Sequence, residues 1–408
     1  MPPRSSRALL FLIALLAALA ALRLGYETWR LLFDAGENGA VDLRLLRDFT
    51  VAWFEGQPIY ELSRQAAHPP ATYAMMWPLV GWLPWTAVRW LWAAFSALTL
   101  AGLIAPALRE AGLRTARERW TGALLVLALA PTAVTIGNGQ ITFLILAAIL
   151  AAVLVLRDGP AGWGRDLVAA AALVVALAKP NVSLPFFWVV LFALRGYRAV
   201  ALAAVGYAGV TLLAVAFQEG GLLEVARDWL GRAAGVSQYG GYLNIHAWLA
   251  AVGWEEASLP ASMLAFVATG AWVWRHRRDD LWALLGVVAV VARLWTYHRV
   301  YDDLLMVFPL IALARIARRE EWRGPAVWVL AAAAVVVLAP VTLLRWSAAP
   351  GQAWSWAVAA TWVATLVFLA RRARGGRAGA TRAETGYRDR GDTWRLEGDD
   401  WRALDPLD

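Results

Sequence analysis

The 408 residues contain no cysteine, which excludes disulfides, thiolate nucleophiles and Cys-ligated metals. Histidine is nearly as scarce: His68, His246, His276 and His298 are the four present, too few for a His-rich metal site. Charge is thin as well. Only 17% of residues are charged, against about 25% in a soluble globular chain, while 60% are hydrophobic. Among the 38 basic residues, Lys179 is the single lysine. No internal repeat of fixed period stands out, which weakens a transporter built from inverted halves.

What is present falls in apolar blocks long enough to cross a bilayer. They lie near 8–25, 86–108, 120–136, 140–156, 165–178, 182–194, 199–217, 257–274, 280–296, 302–317, 325–344 and 352–370, with 165–178 and 182–194 short. Arg4 and Arg7 ahead of the first block resemble a signal peptide; with so many spans following, it reads as an uncleaved anchor. The net charge of +8 and pI of 10.2 fit arginines anchoring cytoplasmic loops better than a nucleic-acid partner.

Arginine also sets orientation. Clusters at 109–119, 157–165, 195–198, 275–278, 315–323 and 371–374 all fall on one side if twelve helices cross. Counting the apolar stretch 69–85 as a further crossing would invert every later loop. Its prolines and tryptophans suit a juxtamembrane or re-entrant helix on the outer surface. The expectation is an all-α polytopic membrane protein of about 12 transmembrane helices, with a long first outer loop carrying juxtamembrane helices. Residues 1–370 form the transmembrane domain. Residues 371–408, with nine arginines, eight carboxylates and few aliphatics, form a disordered cytoplasmic tail.

This topology puts Asp42, Asp48, His68, Gln140, Lys179, Asn181, Asn244, His246, His298, Arg299, Asp302 and Asp303 on the outer face. Ionisable groups gathered at one membrane surface point to a functional site, though outer loops also need polar residues simply for solvation. Lys179, in Ala178-Lys179-Pro180-Asn181, offers a compact ammonium for a phosphate; the plain alternative is a lysine snorkelling to the interface. Asp42 at the start of an amphipathic stretch suits a general base, or a helix cap. Asp48 competes for the first role. Thr296-Tyr297-His298-Arg299-Val300-Tyr301-Asp302-Asp303 supplies donors for phosphate oxygens and carboxylates for sugar hydroxyls, or an interfacial aromatic belt with satisfied charges. Gly137-Asn138-Gly139-Gln140 is a glycine-rich turn that admits close backbone approach, or only a tight bend.

Several of these features occur in order: Asp42 with Gly56 and Tyr60 downstream, Pro69-Pro70 then Pro78 and Pro84, Gly139-Gln140, Lys179-Pro180 and Tyr297-His298. In this the chain, over most of 10–370, resembles glycosyltransferase family 87. These are membrane enzymes of the GT-C class similar to polyprenol-phosphate-mannose-dependent α-mannosyltransferases. The resemblance implies a GT-C-like fold, a lipid-linked sugar phosphate as donor and a first-outer-loop aspartate as base, matched by Asp42 with Asp48 the alternative. Leu45, Leu46 and Arg47 stand where the family often carries an aromatic, which leaves the acceptor, lipid or glycan, open.

The expectation is therefore an inverting hexosyl transfer, mannose first among the sugars, on the periplasmic face of a bacterial cytoplasmic (inner) membrane, with both termini cytoplasmic. Asp42 would act as base, with Lys179, His298, Arg299, Gln140, Asn181 and Asp302 binding substrate. Neither metal nor cofactor is expected, since the leaving phosphate needs no divalent ion and no Asp-x-Asp pair lies outside. The rivals are a transporter or lipid flippase, which needs ionisable groups near the bilayer midplane, and a non-catalytic scaffold subunit.

Overall fold

The computed structural model describes residues 4–236, 244–339 and 353–388. Among them there is no strand. The helices run in order α1 (Arg4–Leu32), α2 (Val41–Phe54), α3 (Ile59–Leu62), α4 (Pro70–Met76), α5 (Trp85–Glu110), α6 (Ala116–Ala128), α7 (Ala130–Asn138), α8 (Thr142–Asp158) and α9 (Trp163–Ala176). The order continues with α10 (Pro180–Ser183), α11 (Tyr197–Val215), α12 (Leu222–Val236), α13 (Ile245–Ala251), α14 (Ser258–His276), α15 (Leu281–Leu294), α16 (Val307–Arg319), α17 (Pro325–Leu338) and α18 (Ala353–Arg388).

Five described segments are long and apolar enough to cross a membrane: Leu9–Leu32, Trp85–Glu110, Tyr197–Val215, Glu255–His276 and Trp356–Ala373. The pair α6 and α7, bent by 51° at Leu129, makes a sixth if counted as one crossing. The other helices at the expected span positions are shorter. Leu22, Leu98, Val205 and Leu264 stand exposed on α1, α5, α11 and α14. Such apolar outward faces need a lipid surround, and helices meet its demand that backbone groups bond internally.

The stretch 69–85 forms α4 and one wide turn, Trp77–Gly81. At 1.5 Å per residue these twelve residues reach about 18 Å, well short of a bilayer core of about 30 Å. Most of α4 is buried against α2 and α11 rather than lying on the surface. The boundary expected at 370 falls inside α18, which continues to Arg388; residues 389–408 of the expected tail lie outside the described residues.

One end of the bundle collects arginine loops. Arg157 donates to both oxygens of Glu110, at 2.8 and 2.7 Å, and the Trp282 indole donates to the same carboxylate at 2.9 Å. Arg315 donates to the Glu110 carbonyl at 2.6 Å, Arg318 pairs with Glu118 at 3.1 Å, and Arg319 with Asp280 at 3.0 Å. Arg372 pairs with Glu320. Acids here also start helices: Thr115 and Glu118 form a reciprocal cap on α6, and Asp280 accepts from the first amides of α15.

Charge inside the bundle repairs broken helices. Arg23 of α1 donates to the Ala128 carbonyl at 2.5 Å and the Leu338 carbonyl at 2.8 Å, two groups freed where α6 and α17 end. Arg293, 1% exposed in α15, pairs with Asp303.

Candidate active site

At the opposite end lies a cavity of about 1300 Å³. Helix α2 reaches it because the α7–α8 turn comes unusually close. Gly139 has φ of +70°, and a Cβ there would sit 2.5 Å from the Leu43 Cβ. A Cβ on Gly137 would lie 1.7 Å from a Glu27 oxygen of α1. The two glycines thus let the turn wedge between α1 and α2. The residues between and after them, Asn138 and Gln140, then meet Asp42.

Asp42 caps nothing: Ala40, with φ of 48°, occupies the N-cap, and no side chain bonds the first turn of α2. Instead the Asn138 amide donates to Asp42 Oδ2 at 2.8 Å, and Gln140 gives a second side-chain hydrogen bond. Arg30 donates to Asn138 Oδ1 at 3.1 Å and to Glu27 at 2.5 Å. A guanidinium can only donate, so it takes the amide oxygen and turns the amide N–H toward Asp42. Burial pushes the Asp42 carboxyl above its ordinary range; Gln140, Asn138, Lys179 and Arg299 pull the other way without cancelling it.

Lys179 stands at a chain break. Pro180 opens α10, and the residue before a proline is driven out of helical geometry; Lys179 has φ of −137° and ψ of 77°. The Ala178 carbonyl freed there accepts from Thr72 Oγ1 at 2.8 Å and bonds the His68 ring. The Lys179 ammonium does not snorkel. It is 8% exposed, pairs with Asp302 and lies 4.5 Å from the centre of the Tyr301 ring. Asp302 also accepts from Thr142 at 3.3 Å and from the Arg299 amide at 3.1 Å.

Arg299 bonds the Tyr297 hydroxyl and lies over that ring at 5.3 Å. Asn181 donates to the Tyr297 carbonyl at 3.1 Å, and the Trp295 indole donates to the Asn181 carbonyl at 2.8 Å. Two histidines are held neutral. Burial, with Lys179 nearby, pushes His68 down to about 4. Burial also pushes His298 down to about 4, with Arg293 and Lys179 adding to the shift and Asp302 opposing it.

The residues expected from sequence therefore divide. Asp42, Gln140, Lys179, Asn181 and Arg299 line the one cavity. His298 and Asp302 do not. Both are essentially unexposed and sit behind the wall, where Asp302 serves Lys179 as counterion and the His298 ring meets the Thr296 carbonyl at 3.0 Å. Asp48 is more than half exposed on another face of α2, beside Arg47, and does not reach the cavity. Arg64, His68, Asn138, Tyr297 and Tyr301 line it without having been assigned substrate roles; the Gly-x-Gly spacing around Asn138 was the available signal. Leu45, Phe49, Leu230, Leu259 and Met263 give part of the wall an apolar surface, and His246, Glu255 and Glu256 line it as well.

Fold and site together define a polytopic helical membrane protein with a pocket that Asp42 lines together with the cations Lys179, Arg299 and Arg64 and the carboxylates Glu255 and Glu256. The chain belongs to glycosyltransferase family 87, whose family model matches residues 67–301, more than half of its length. It is thus a membrane glycosyltransferase, and such an enzyme takes a sugar donor and an acceptor. Asp42 precedes the matched segment and Lys179 and Arg299 lie within it. No curated protein and no solved structure matches the chain.

Proposed function

We propose that the protein moves a hexose, mannose first among the candidates, from a polyprenyl-phosphate sugar to an acceptor hydroxyl, with inversion. The observation that carries this reading is the facing of Asp42 by Lys179 and Arg299 across one cavity with apolar walls. In a single displacement the acceptor oxygen attacks the anomeric carbon as its proton passes to the Asp42 carboxylate. The bond from that carbon to the phosphate oxygen breaks, and the electron pair leaves with the lipid phosphate. A carboxylate raised by burial and positioned by amides, rather than neutralised by a cation, keeps its basicity for this step.

The departing phosphate gains charge where Lys179 and Arg299 lie. Lys179 gives one N–H to Asp302, and an ammonium has two more. Asp302 then acts by holding that ammonium at the wall rather than by touching sugar. The apolar wall suits a prenyl chain. The twelve-crossing arrangement belongs to this proposal, and so does a site on the periplasmic face of a bacterial inner membrane. Five of the six arginine loops share ion pairs at the end away from the cavity, as that arrangement requires.

The test is transfer of label in membranes carrying the protein, offered radiolabelled polyprenyl-phosphate hexoses in parallel with nucleotide sugars. Label reaching product from a lipid-phosphate hexose alone supports the reading. Transfer from the nucleotide sugar alone, under conditions that block formation of lipid carriers, contradicts it.

A further inference from the structure

A second cleft, of about 380 Å³, opens on the side of α2 away from Asp42 and is lined by Ala35, Arg44, Arg47, Asp48, Trp85 and Arg89. Three guanidiniums face one carboxylate there. They are brought together by backbone rather than by acids. Arg89 donates to the Leu31 carbonyl, and to those of Arg30 and Asp34 at 3.0 and 2.8 Å, closing the end of α1. Arg44 donates to the Gly36 and Gly39 carbonyls at 3.1 and 3.3 Å, and Arg47 to that of Leu83 at 3.2 Å. The Trp85 ring lies 5.7 Å from both Arg44 and Arg89. Among the described residues Asp48 is the one carboxylate lining the cleft, a loose 3.8 Å from Arg47, while Asp34 acts on Arg89 through space; the buried Nε of Arg47 has no hydrogen-bond partner.

The surroundings say what kind of anion would come. Phe33 and Trp90 touch at 5.9 Å beside the end of α1, and both are exposed, as are Trp29 and Trp82. Exposed aromatics at helix ends mark the headgroup level of a bilayer. Guanidiniums at that level meet lipid phosphates, to which they donate strong charge-assisted bonds.

We infer that this cleft, lined by Arg44, Arg47 and Arg89, binds the phosphate of an anionic phospholipid, separately from the sugar-transfer cavity. The lipid would brace α2 from outside while Asp42 works on the inside.

The probe is short-chain phosphatidylglycerol titrated onto the purified full-length protein and read by native mass spectrometry, with phosphatidylcholine and inorganic phosphate as comparison ligands. Phosphatidylglycerol should bind more tightly than phosphatidylcholine. The double variant Arg44→Gln/Arg47→Gln should weaken it roughly thirtyfold, about fivefold per charge. Because those arginines also tie loops, Asp48→Asn gives an independent reading: removal of the carboxylate that lines the cleft should tighten phosphatidylglycerol several-fold. Equal binding of the two lipids, or a weaker or unchanged Asp48→Asn, would overturn the inference. So would displacement of phosphatidylglycerol by an equal concentration of inorganic phosphate, which would mark the cleft as a site for small anions.

Discussion

Asp42 and the carboxylates at the arginine end of the bundle are held in opposite ways, although Asp302 and Asp303 behind the cavity wall also pair directly with cations. At the arginine end, Glu110, Glu118 and Asp280 each meet a guanidinium directly. At the cavity end Asp42 is held by two neutral amides, while Lys179 and Arg299 act on it only through space. Direct pairing fixes a carboxylate as structure: Glu110 is held by Arg157 and Trp282. Amide pairing positions a carboxylate without neutralising it. A bundle can thus hold many acids and still leave one as a base.

Outside Asp42 itself, the largest effect expected from this contrast is at Lys179. Lys179→Met should cut transfer by about a hundredfold to a thousandfold, the range for removing one preorganised donor at a developing charge. It also strands Asp302, so the comparison is with Lys179→Met/Asp302→Asn, which should fold better yet stay as inactive when both are assayed per folded molecule.

At the other end, Glu110→Gln should cost about 2 kcal/mol, since charge-assisted bonds to Arg157 are lost. The check is a lower apparent Tm in detergent with transfer per folded molecule unaltered. A loss of transfer without a loss of stability would mean that the two ends are not separate.

A smaller, more diagnostic effect is expected at Asn138. Asn138→Leu removes a donor to the charged form of Asp42, so the carboxyl should rise further, and the acid limb of the pH–rate profile should move to higher pH. Lys179 and Arg299 face the same carboxylate and still hold it down, so activity should persist above that limb. An acid limb that does not move would place the titrating base elsewhere.

The smallest effect concerns stability against pH. His298 stays neutral in the folded protein down to about 4, whereas the unfolded chain protonates it near 6.5. Between those values the unfolded state binds more protons, so stability falls as pH drops through that window. The melting curve of His298→Gln should depend less on pH there than that of the natural protein.

The sequence foretold more of the residues than of their directions. Lys179 was conspicuous as the sole lysine, in the gap between the blocks 165–178 and 182–194; the structure has a chain break there and puts its ammonium on the cavity wall. Arginine placement foretold which loops would share an end. What spacing could not convey is which way a tight turn points its side chains. In 296–303 the extended backbone at Arg299 gives way to a tight helical turn from Val300 to Met306. Arg299 therefore faces the cavity while Asp302 and His298 turn behind it. Asp42 and Asp48 were separable in principle, six residues apart on one helix and so on different faces. Only tertiary packing of the Gly137–Gly139 turn shows which face is the inner one. Arg23 looks like an exception inside an apolar block until its carbonyl partners are seen, and Glu27 and Arg30 follow the block expected to end at 25, whereas α1 runs on to Leu32.

The most direct test of the account sets Asp42→Asn beside Asp48→Asn, measuring label transferred from a polyprenyl-phosphate hexose per folded molecule. General-base catalysis contributes about a hundredfold to ten-thousandfold, so Asp42→Asn should lose at least the lower figure while Asp48→Asn keeps most of its transfer. Loss with Asp48→Asn and survival with Asp42→Asn would contradict the assignment of the base to the cavity.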